Sequence, residues 1–441
     1  MRVGRTLIGL VLACAAGGGC FSSSDDSTAM PIDSGPSPQG DGEAPVIDAT
    51  TDGPSVDATT GTDAGPDVDS ATTGDAALTG DGGSASDGGC GGDGGPGTFS
   101  CTGGLNAPRS AVGGAALGNG KVLVAGGWNT TSKTLASAEV FDEATGTFTT
   151  TGPMGGPHLW AGWASPWPVL DSGKVLTAGG LDATGALLPT AELYDPVGEM
   201  FASTGGLSPA VVAFNAVKLQ DGSVLFIGGY STVTVAPPTP SFQYTAGTNQ
   251  VQRYDPTSGM FGSAGTLAEA RLFGCNVLLP SGKVLAIGGW QGVPTAAESN
   301  IEVYDPAMNQ WSTAGTLSGG VTCSANAFNL PGGAVLLDSS QLLDPVALTT
   351  TPTTNTLAIA NATFVQLANG DVLAFGGQIS NMPTVEAQVY RNATGLWTTV
   401  GSMHEARQGT RGFLMSSGDV LVVGGADANG STLSSAEIYH P

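Results

Sequence analysis

An apolar run that ends in two glycines recurs along the chain after residue 118. Each copy opens with a turn signal such as Asn-Gly or Ser-Gly, continues with residues rich in Val and Leu, and closes on Gly-Gly. This pattern predicts a buried strand that begins at a turn and ends where another segment of backbone passes closely. The copies are NGKVLVAGGW (119–128), SGKVLTAGGL (172–181), DGSVLFIGGY (221–230), SGKVLAIGGW (281–290), NGDVLAFGGQ (369–378), SGDVLVVGGA (417–426) and a seventh without the closing glycines, GGAVLLDSS (332–340).

Three other elements accompany each copy. A segment with alternating apolar and polar positions follows it, as in TAELYDP (190–196), and Asp-Pro marks a turn after that strand. An aromatic residue near Ser or Thr marks the next element, as in GMFGSAGTL (259–267), and an element such as RLFGCNVLL (271–279) precedes the glycine-ending run. The chain therefore repeats a unit of four short strands about every 40 to 60 residues, which is typical of β-propeller blades.

The order Gly-Gly, then Tyr-Asp, then Trp or Phe resembles the kelch repeat, over about residues 97–441. The resemblance implies an all-β fold, a seven-bladed kelch-type β-propeller. The last unit stops at SAEIYHP (435–441) without a fourth strand, whereas GTFSCTGGL (97–105) is a fourth strand with no unit before it. We expect residues 98–103 to pair with residues 435–440, because this closes the ring and removes an exposed strand edge. Kelch propellers commonly close in this way.

Residues 21–96 differ in composition from the rest of the chain. They consist almost entirely of Gly, Ser, Thr, Asp, Ala and Pro, and they hold 15 acidic residues and no Lys or Arg in a chain of net charge −24. Such a segment has too little apolar surface to offset the entropy of ordering it, and its like charges extend it. We interpret it as a disordered acidic linker.

The first 20 residues are typical of an export signal. MRVGR is a short basic region, and TLIGLVLACAA is an apolar run too short to span a bilayer. AAGGGC before a polar linker resembles a bacterial lipoprotein signal, which implies that Cys20 becomes the lipidated first residue. Cys14 is the rival position, and simple secretion is the alternative. The predicted domains are a lipoprotein-type signal peptide (1–20), the linker (21–96) and the propeller (97–441), in an exported protein of the cell envelope whose membrane, inner or outer, stays open.

The charge balance excludes one class of partner. A phosphate backbone binds Lys and Arg, but residues 97–441 carry 22 acidic and 11 basic residues, and the basic ones form no stripe. We therefore expect no nucleic acid partner, and we expect contact with a membrane only through the lipid anchor.

Export makes disulfides possible. Cys90 and Cys101 lie eleven residues apart across the end of the linker and could pair. Cys275 and Cys323 lie in neighbouring repeats at positions that are not equivalent, and we expect them to be small buried hydrophobic residues.

Aromatic residues concentrate on one predicted face of the ring, where second strands connect to third strands and blades connect to each other. Flat rings on a loop-built face suit stacking on sugar rings or gripping a partner chain. For Trp163 and Trp167 we favour packing between blades or over the channel, while Trp128 and Trp290 leave both interpretations open. The ligand-binding candidates are Trp128, Trp160, Tyr230, Phe242, Tyr244 and Trp290.

Charged residues also repeat from blade to blade. Such arginines can bind an anionic ligand in the channel, or they can pair with glutamates to hold the blades together. The repetition favours the structural pairing, which would be costly to break on one side only. The arginines are Arg109, Arg271 and Arg407, each twelve residues before the charged residue of a second strand, and the third-strand glutamates are Glu139, Glu192, Glu302 and Glu437.

The resemblance raises an enzymatic alternative. Kelch-type propellers form the central domain of galactose oxidase-like copper enzymes, which bind copper through two Tyr and two His. Of the three histidines, His158 and His404 precede first strands on the aromatic face, whereas His440 points to the opposite face. We find no arrangement of nucleophile, base and acid, no phosphate loop and no zinc spacing, and we name no catalytic residue, metal or cofactor.

The sequence favours an exported, surface-tethered binding module that recognises a polysaccharide or an envelope protein through its aromatic face. The alternatives are a galactose oxidase-like copper oxidoreductase and another glycan-processing propeller enzyme. The fold by itself does not decide between binding and catalysis.

Overall fold

The computed structural model describes residues 94–161, 166–236, 241–290, 298–317, 326–337 and 340–441. This part of the chain contains no helix, and hence none long and apolar enough to cross a membrane. The predicted signal peptide and the predicted linker up to residue 93, with Cys14, Cys20 and Cys90, lie outside the described residues.

Seven antiparallel sheets, here called blades one to seven, follow one another and form a β-propeller. In six blades four strands pair side by side, and around the axis the first strands contact each other between blades three and four, four and five, six and seven, and seven and one. The strands are Gly113–Leu117, Lys121–Ala125, Ala138–Asp142 and Thr147–Thr151 in blade one; Val175–Ala178, Ala191–Asp195 and Met200–Thr204 in blade two; Asn215–Lys218, Val224–Ile227, Gln250–Asp255 and Met260–Thr266 in blade three; Cys275–Leu278, Val284–Ile287, Asn300–Asp305 and Gln310–Thr316 in blade four; Ala327–Asn329, Val335–Leu337, Gln341–Asp344 and Thr349–Pro352 in blade five; Thr363–Gln366, Val372–Phe375, Ala387–Arg391 and Leu396–Thr399 in blade six; and Arg411–Leu414, Val420–Val423, Ala436–His440 and Thr98–Thr102 in blade seven.

Blade seven takes its outermost strand from the N-terminal end of the propeller. Thr98–Thr102 pairs antiparallel with Ala436–His440, residue for residue. Phe99 packs on Tyr439 with ring centroids 5.0 Å apart, and both side chains are buried. The predicted closure is confirmed, and it leaves no unpaired edge between the first and last units.

The aromatic residues of the repeat form one packed pair in each of six blades. A third-strand Tyr, or Phe in blade one, lies directly opposite a fourth-strand Phe or Trp, with ring centroids 4.9–5.4 Å apart. Such cross-strand pairs stabilise a sheet, which explains why the repeat keeps these residue types. The pairs are Phe141–Phe148, Tyr194–Phe201, Tyr254–Phe261, Tyr304–Trp311, Tyr390–Trp397 and Tyr439–Phe99.

Blade two departs from the predicted four strands. Its sheet has three, and the expected first strand is reduced to a single bridge between Val169 and Val175. Pro166 and Pro168 occupy that stretch, and neither can donate a backbone hydrogen bond to a ladder. Two prolines therefore prevent a strand that the surrounding repeat favours.

Among the described residues, hairpins extend the connections between second and third strands in three blades, whereas only residues 338–340 lie between these strands in blade five. The hairpins join Trp128–Asn129 with Lys133–Thr134, Tyr230–Ala236 with Ser241–Gly247, and Gln378–Ile379 with Met382–Pro383.

Of the described cysteines, Cys101 and Cys275 each take part in a disulfide bond. Because Cys90 lies outside the described residues, its pairing with Cys101 stays a prediction. Cys275 is fully buried, as expected, but its disulfide shows that it is more than a small hydrophobic residue. The sequence gave no indication of this bond, because Cys275 and Cys323 occupy positions of the repeat that are not equivalent. Cys323 lies outside the described residues.

Candidate functional site

Paired glycines bring aromatic residues to one end of the ring. In blade three Gly228 and Gly229 have φ of 67° and 95°. A Cβ on Gly229 would lie 2.6 Å from the carbonyl oxygen of Val212, so a side chain does not fit there. The next residue, Tyr230, then pairs with Val212 at the entry to the first strand. The same bridge joins Trp128 with Ser110, Leu181 with Leu159 and Trp290 with Leu272.

Four of the six predicted ligand residues pack into one apolar group at this end, here called the aromatic cluster. Trp160 and Tyr230 are among its buried members, and Trp128 and Trp290 are partly buried and pack against them. The cluster draws on blades one to four, so it joins residues far apart in the sequence. Its other members are Ala111, Leu159, Leu181, Leu187, Val212, Ala213, Leu272 and Phe273.

Burial divides these four aromatic residues into two pairs. Trp160 and Tyr230 are only 8% and 5% exposed, whereas Trp128 and Trp290 keep part of their surface in solvent. Burial raises the pKa of the Tyr230 hydroxyl to about 12, because desolvation disfavours the phenolate. Tyr230 also meets Phe273 edge-on, with centroids 5.8 Å apart and an interplanar angle of 70°. Tyr230 is thus a neutral support, and Trp128 and Trp290 are the rings that a ligand can reach.

A lysine lies over the ring of Trp128. The Nζ of Lys133 is 5.7 Å from the ring centroid, within range of a cation–π interaction. Lys133 has a left-handed conformation, φ 64°, in the hairpin that follows Trp128. Sequence reasoning missed both Lys133 and Phe273. The spacing of Lys133 from Trp128 was a usable signal, because a tight hairpin folds such residues back on each other.

The family described as "Kelch motif" matches residues 113–155 and 271–318, which contain the strands of blades one and four. This match agrees with the repeated Gly-Gly strands and the seven blades. The chain is a kelch-repeat β-propeller. One solved structure similar to it, titled "Structure of YjhT", is 13% identical, with a TM-score of 0.46, and covers 76% of this chain and 95% of that chain. No curated protein matches the chain.

The two remaining candidates lie in the longest hairpin of the kelch propeller. The backbones of Phe242 and Tyr244 belong to Ser241–Gly247, opposite Val235 and Val233. Their side chains lie outside the described residues, so the structure does not join them to the aromatic cluster, and their role stays a prediction.

Trp167 packs between blades one and two, the interpretation favoured from the sequence. It is 4% exposed, and its indole Nε1 donates to the Ala161 carbonyl at 2.7 Å. Its backbone N–H donates to the carbonyl of Gly114 in blade one, also at 2.7 Å. A Cβ on Gly113 would lie 2.1 Å from the Trp167 ring, so that glycine makes room for the indole. Trp163 lies outside the described residues.

The repeated arginines of the kelch propeller pair with the repeated glutamates inside a blade. All six side chains are 0–2% exposed, so the pairs are inaccessible to a ligand in the channel. The Arg109 carbonyl also accepts the backbone N–H of Gly425 in the preceding blade at 3.0 Å, which links the two blades. The structural interpretation therefore accounts for them. The pairs are Arg109–Glu139 at 2.7 Å, Arg271–Glu302 at 3.0 Å and Arg407–Glu437 at 2.8 Å.

In blade two a histidine takes the arginine's place. Nε2 of His158 lies 3.0 Å from Glu192, and its Nδ1 lies 2.7 Å from the Gly179 carbonyl oxygen. Desolvation would raise the pKa of Glu192, but hydrogen bonds from His158 and the backbone of Gly155 outweigh it, so the carboxyl pKa is lowered. His158 thus holds Glu192 as the arginines hold their glutamates.

The other histidines also contact carboxylates and lie apart. His404 Nδ1 is 3.0 Å from Glu437 in blade seven, and His440 lies at the far end of the same blade. Among the described residues, no three His, Cys, Asp or Glu side chains form a group that could hold a metal ion. The geometry assigns His158 and His404 to blade packing.

Proposed function

We propose that this kelch propeller is a binding module that holds a polysaccharide against Trp128 and Trp290. The observation that carries the proposal is the partial exposure of these two rings beside the buried Trp160 and Tyr230. Packing already fixes the rings, so little side-chain entropy is lost when a ligand stacks on them.

The chemistry of the aromatic cluster favours a sugar. Trp128 and Trp290 present flat apolar surface of the kind that stacks on the C–H faces of sugar rings. Lys133 beside Trp128 adds a donor for sugar hydroxyl or carboxylate groups. An envelope protein is the competing ligand, and the experiment below distinguishes the two.

We further propose export and a lipid anchor on Cys20, with residues 21–96 as the linker to the propeller. The basic and apolar start of the chain, followed by AAGGGC, supports this assignment. Fractionation of cells that express the full chain tests it: Cys20→Ser should leave the membrane fraction, and Cys14→Ser should stay in it. Membrane association that persists in Cys20→Ser contradicts the assignment.

Glycan-array binding by the full chain tests the binding site. Trp128→Ala and Trp290→Ala should each lower the affinity for the bound sugar about tenfold or more, which is about 1.4 kcal/mol or more, and Trp→Phe should retain part of it. Met308→Ala is the control, because Met308 is an exposed apolar residue in a turn at the opposite end.

The outcomes separate the candidate ligands. Binding to one sugar class that is lost in the two tryptophan variants supports the polysaccharide site. A blank array, together with an envelope protein crosslinked to the wild type but not to Trp128→Ala, replaces sugar by protein. Full sugar affinity in both variants removes the aromatic cluster from the site.

A further inference from the structure

Three side chains form a hydrogen-bonded chain at the end of the propeller opposite the aromatic cluster. Oγ of Ser100 lies 2.8 Å from Nε2 of His440, and Nδ1 of the same ring lies 3.2 Å from Oδ1 of Asp419. Ser100 comes from the closing strand, His440 ends the third strand of blade seven, and Asp419 stands just before its second strand. Ring closure therefore assembles the three.

The proton positions follow from the chemistry of the groups. A carboxylate can only accept, so Nδ1 of His440 carries the proton that it donates to Asp419. Nε2 of the neutral ring then accepts from the hydroxyl of Ser100. This order of hydroxyl, imidazole and carboxylate is the one in which a histidine removes a proton from a serine nucleophile, and such sites are recognised by geometry and not by sequence position.

In three other blades the positions equivalent to Asp419 and His440 carry ion pairs instead. They are Lys174–Asp195 in blade two, Lys283–Asp305 in blade four and Arg391–Asp371 in blade six, at 3.0–3.2 Å. Blade four even has a serine, Ser312, in the register of Ser100, but Asp305 stands where His440 would be. An ion pair is thus sufficient to stabilise a blade at this position, and the fold does not require the Ser-His-Asp combination.

The surroundings leave space for a substrate. The side chains of His440 and Asp419 are 24% and 29% exposed, and Ser100 is partly exposed. A Cβ on Gly94 would lie 3.8 Å from Nε2 of His440, and within the described part of the chain nothing lies within 4 Å of one on Gly95. A small molecule can therefore approach the hydroxyl and imidazole beside this glycine turn.

We propose that Ser100 and His440 are the nucleophile and base of an ester-hydrolysing site, with Asp419 as the positioning residue. Ser100 Oγ bonds to the carbonyl carbon of a small acyl ester while its proton passes to Nε2 of His440. The C–O bond to the alcohol breaks, and the alcohol leaves with that proton. Water then attacks the acyl-serine, its proton passes through His440 to Ser100, and the carboxylic acid is released.

Asp419 is itself held in position. The hydroxyl of Ser417 donates to its second carboxylate oxygen at 3.2 Å, which leaves Oδ1 for the imidazole. Asp419 acts by fixing the orientation and tautomer of His440 and does not touch the ester.

Covalent labelling of the full chain with a fluorophosphonate probe tests the site. Peptide mass spectrometry should place the label on Ser100, and Ser100→Ala should lose it, while the register-matched control Ser312→Ala labels like the wild type. His440→Gln should slow labelling about 10²-fold or more, the usual contribution of a general base. Asp419→Asn should slow it, and Asp419→Glu, which restores a carboxylate, should recover part of the rate.

Hydrolysis of p-nitrophenyl acetate should follow the same order among the variants, and unchanged melting curves show that each variant is folded. The inference is overturned if the folded wild type is not labelled at Ser100. It is also overturned if His440→Gln labels at the wild-type rate. Neither outcome changes what is proposed for the aromatic cluster, so this test and the glycan test are independent.

Discussion

Phe99 holds the strand that closes the ring, and Phe99→Ala perturbs that closure most directly. The side chain is 2% exposed, packs on Tyr439 and belongs to an apolar group that includes Val365 and Met403. The substitution keeps the backbone pairing of Thr98–Thr102 but removes its main packing contact.

The expected cost follows from this burial. Burying a phenylalanine contributes about 1.5–3 kcal/mol, and the cavity raises the cost of Phe→Ala to about 3–5 kcal/mol. With about 2.1 cal/mol/K per residue over roughly 340 residues, the unfolding entropy is near 0.7 kcal/mol/K, so Tm should fall by about 4–7 °C. The same energy favours detachment of the strand, which should accelerate local exchange by about 10²–10⁴-fold.

Thermal melting and amide hydrogen exchange of the full chain measure the two effects. Exchange should accelerate in Thr98–Thr102 and in its partner strand, Ala436–His440. Trp397→Ala is the matched control, because Trp397 is 3% exposed and packs on Tyr390 at 5.4 Å in the same register of blade six, within an apolar group that includes no residue of Thr98–Thr102 or Ala436–His440. It should lower Tm by a similar amount and leave amide exchange in Thr98–Thr102 and Ala436–His440 unchanged.

The result that refutes the reasoning is specific. In Phe99→Ala, amide exchange in Thr98–Thr102 and Ala436–His440 could stay at the wild-type rate while Tm falls by less than about 1 °C. That result would show that this packing does not hold the ring closed. Equal acceleration of exchange in Thr98–Thr102 and Ala436–His440 of Trp397→Ala would show that the effect is global and not a property of closure.

Two further predictions concern charges. Arg271→Val leaves Glu302 buried without its partner and should cost about 3–5 kcal/mol in urea unfolding. The double variant Arg271→Val/Glu302→Gln carries the residue types that blade three has at the same two positions, Val211 and Gln252, and should recover most of that loss. A double variant that is no more stable than Arg271→Val contradicts this account. Backbone N–H groups lower the pKa of Asp255, so its contribution to stability is present above about pH 4 and is lost as the pH falls through the folded value. Tm should therefore drop below about pH 4, less steeply in Asp255→Asn, and a flat curve from pH 6 to 2.5 contradicts the assignment.

The blade number and the closure could be predicted because local features determine them. Six of the seven second strands show their own turn, apolar run and Gly-Gly, and five of the third strands show their own Tyr. The spare strand at 97–105 was identifiable because it repeats a fourth-strand pattern. The arginine–glutamate pairing was also predictable, since a ligand site has no reason to recur in three blades whereas a blade contact does.

Other features depend on contacts that no local pattern shows. The repeat favoured a first strand in blade two, but Pro166 and Pro168 removed its donors. Tyr230 occupies the same repeat position as Trp128, yet blade three buries it. Ser100 and His440 are 340 residues apart, so sequence spacing gave no sign of their contact.

The repeat offers a way to separate structural from functional residues in this kelch propeller. Residues that recur in most blades have a structural explanation: Gly-Gly allows close backbone approach, and the third-strand Tyr packs on its neighbour. A functional group has no reason to recur in most blades. The search should therefore start from accessible residues that depart from the pattern. At one end these are Trp128 and Trp290. At the other end they are Ser100 and His440, and three other blades have an ion pair at the position of His440 and Asp419. Because the two sets lie at opposite ends, single substitutions can test binding and hydrolysis separately.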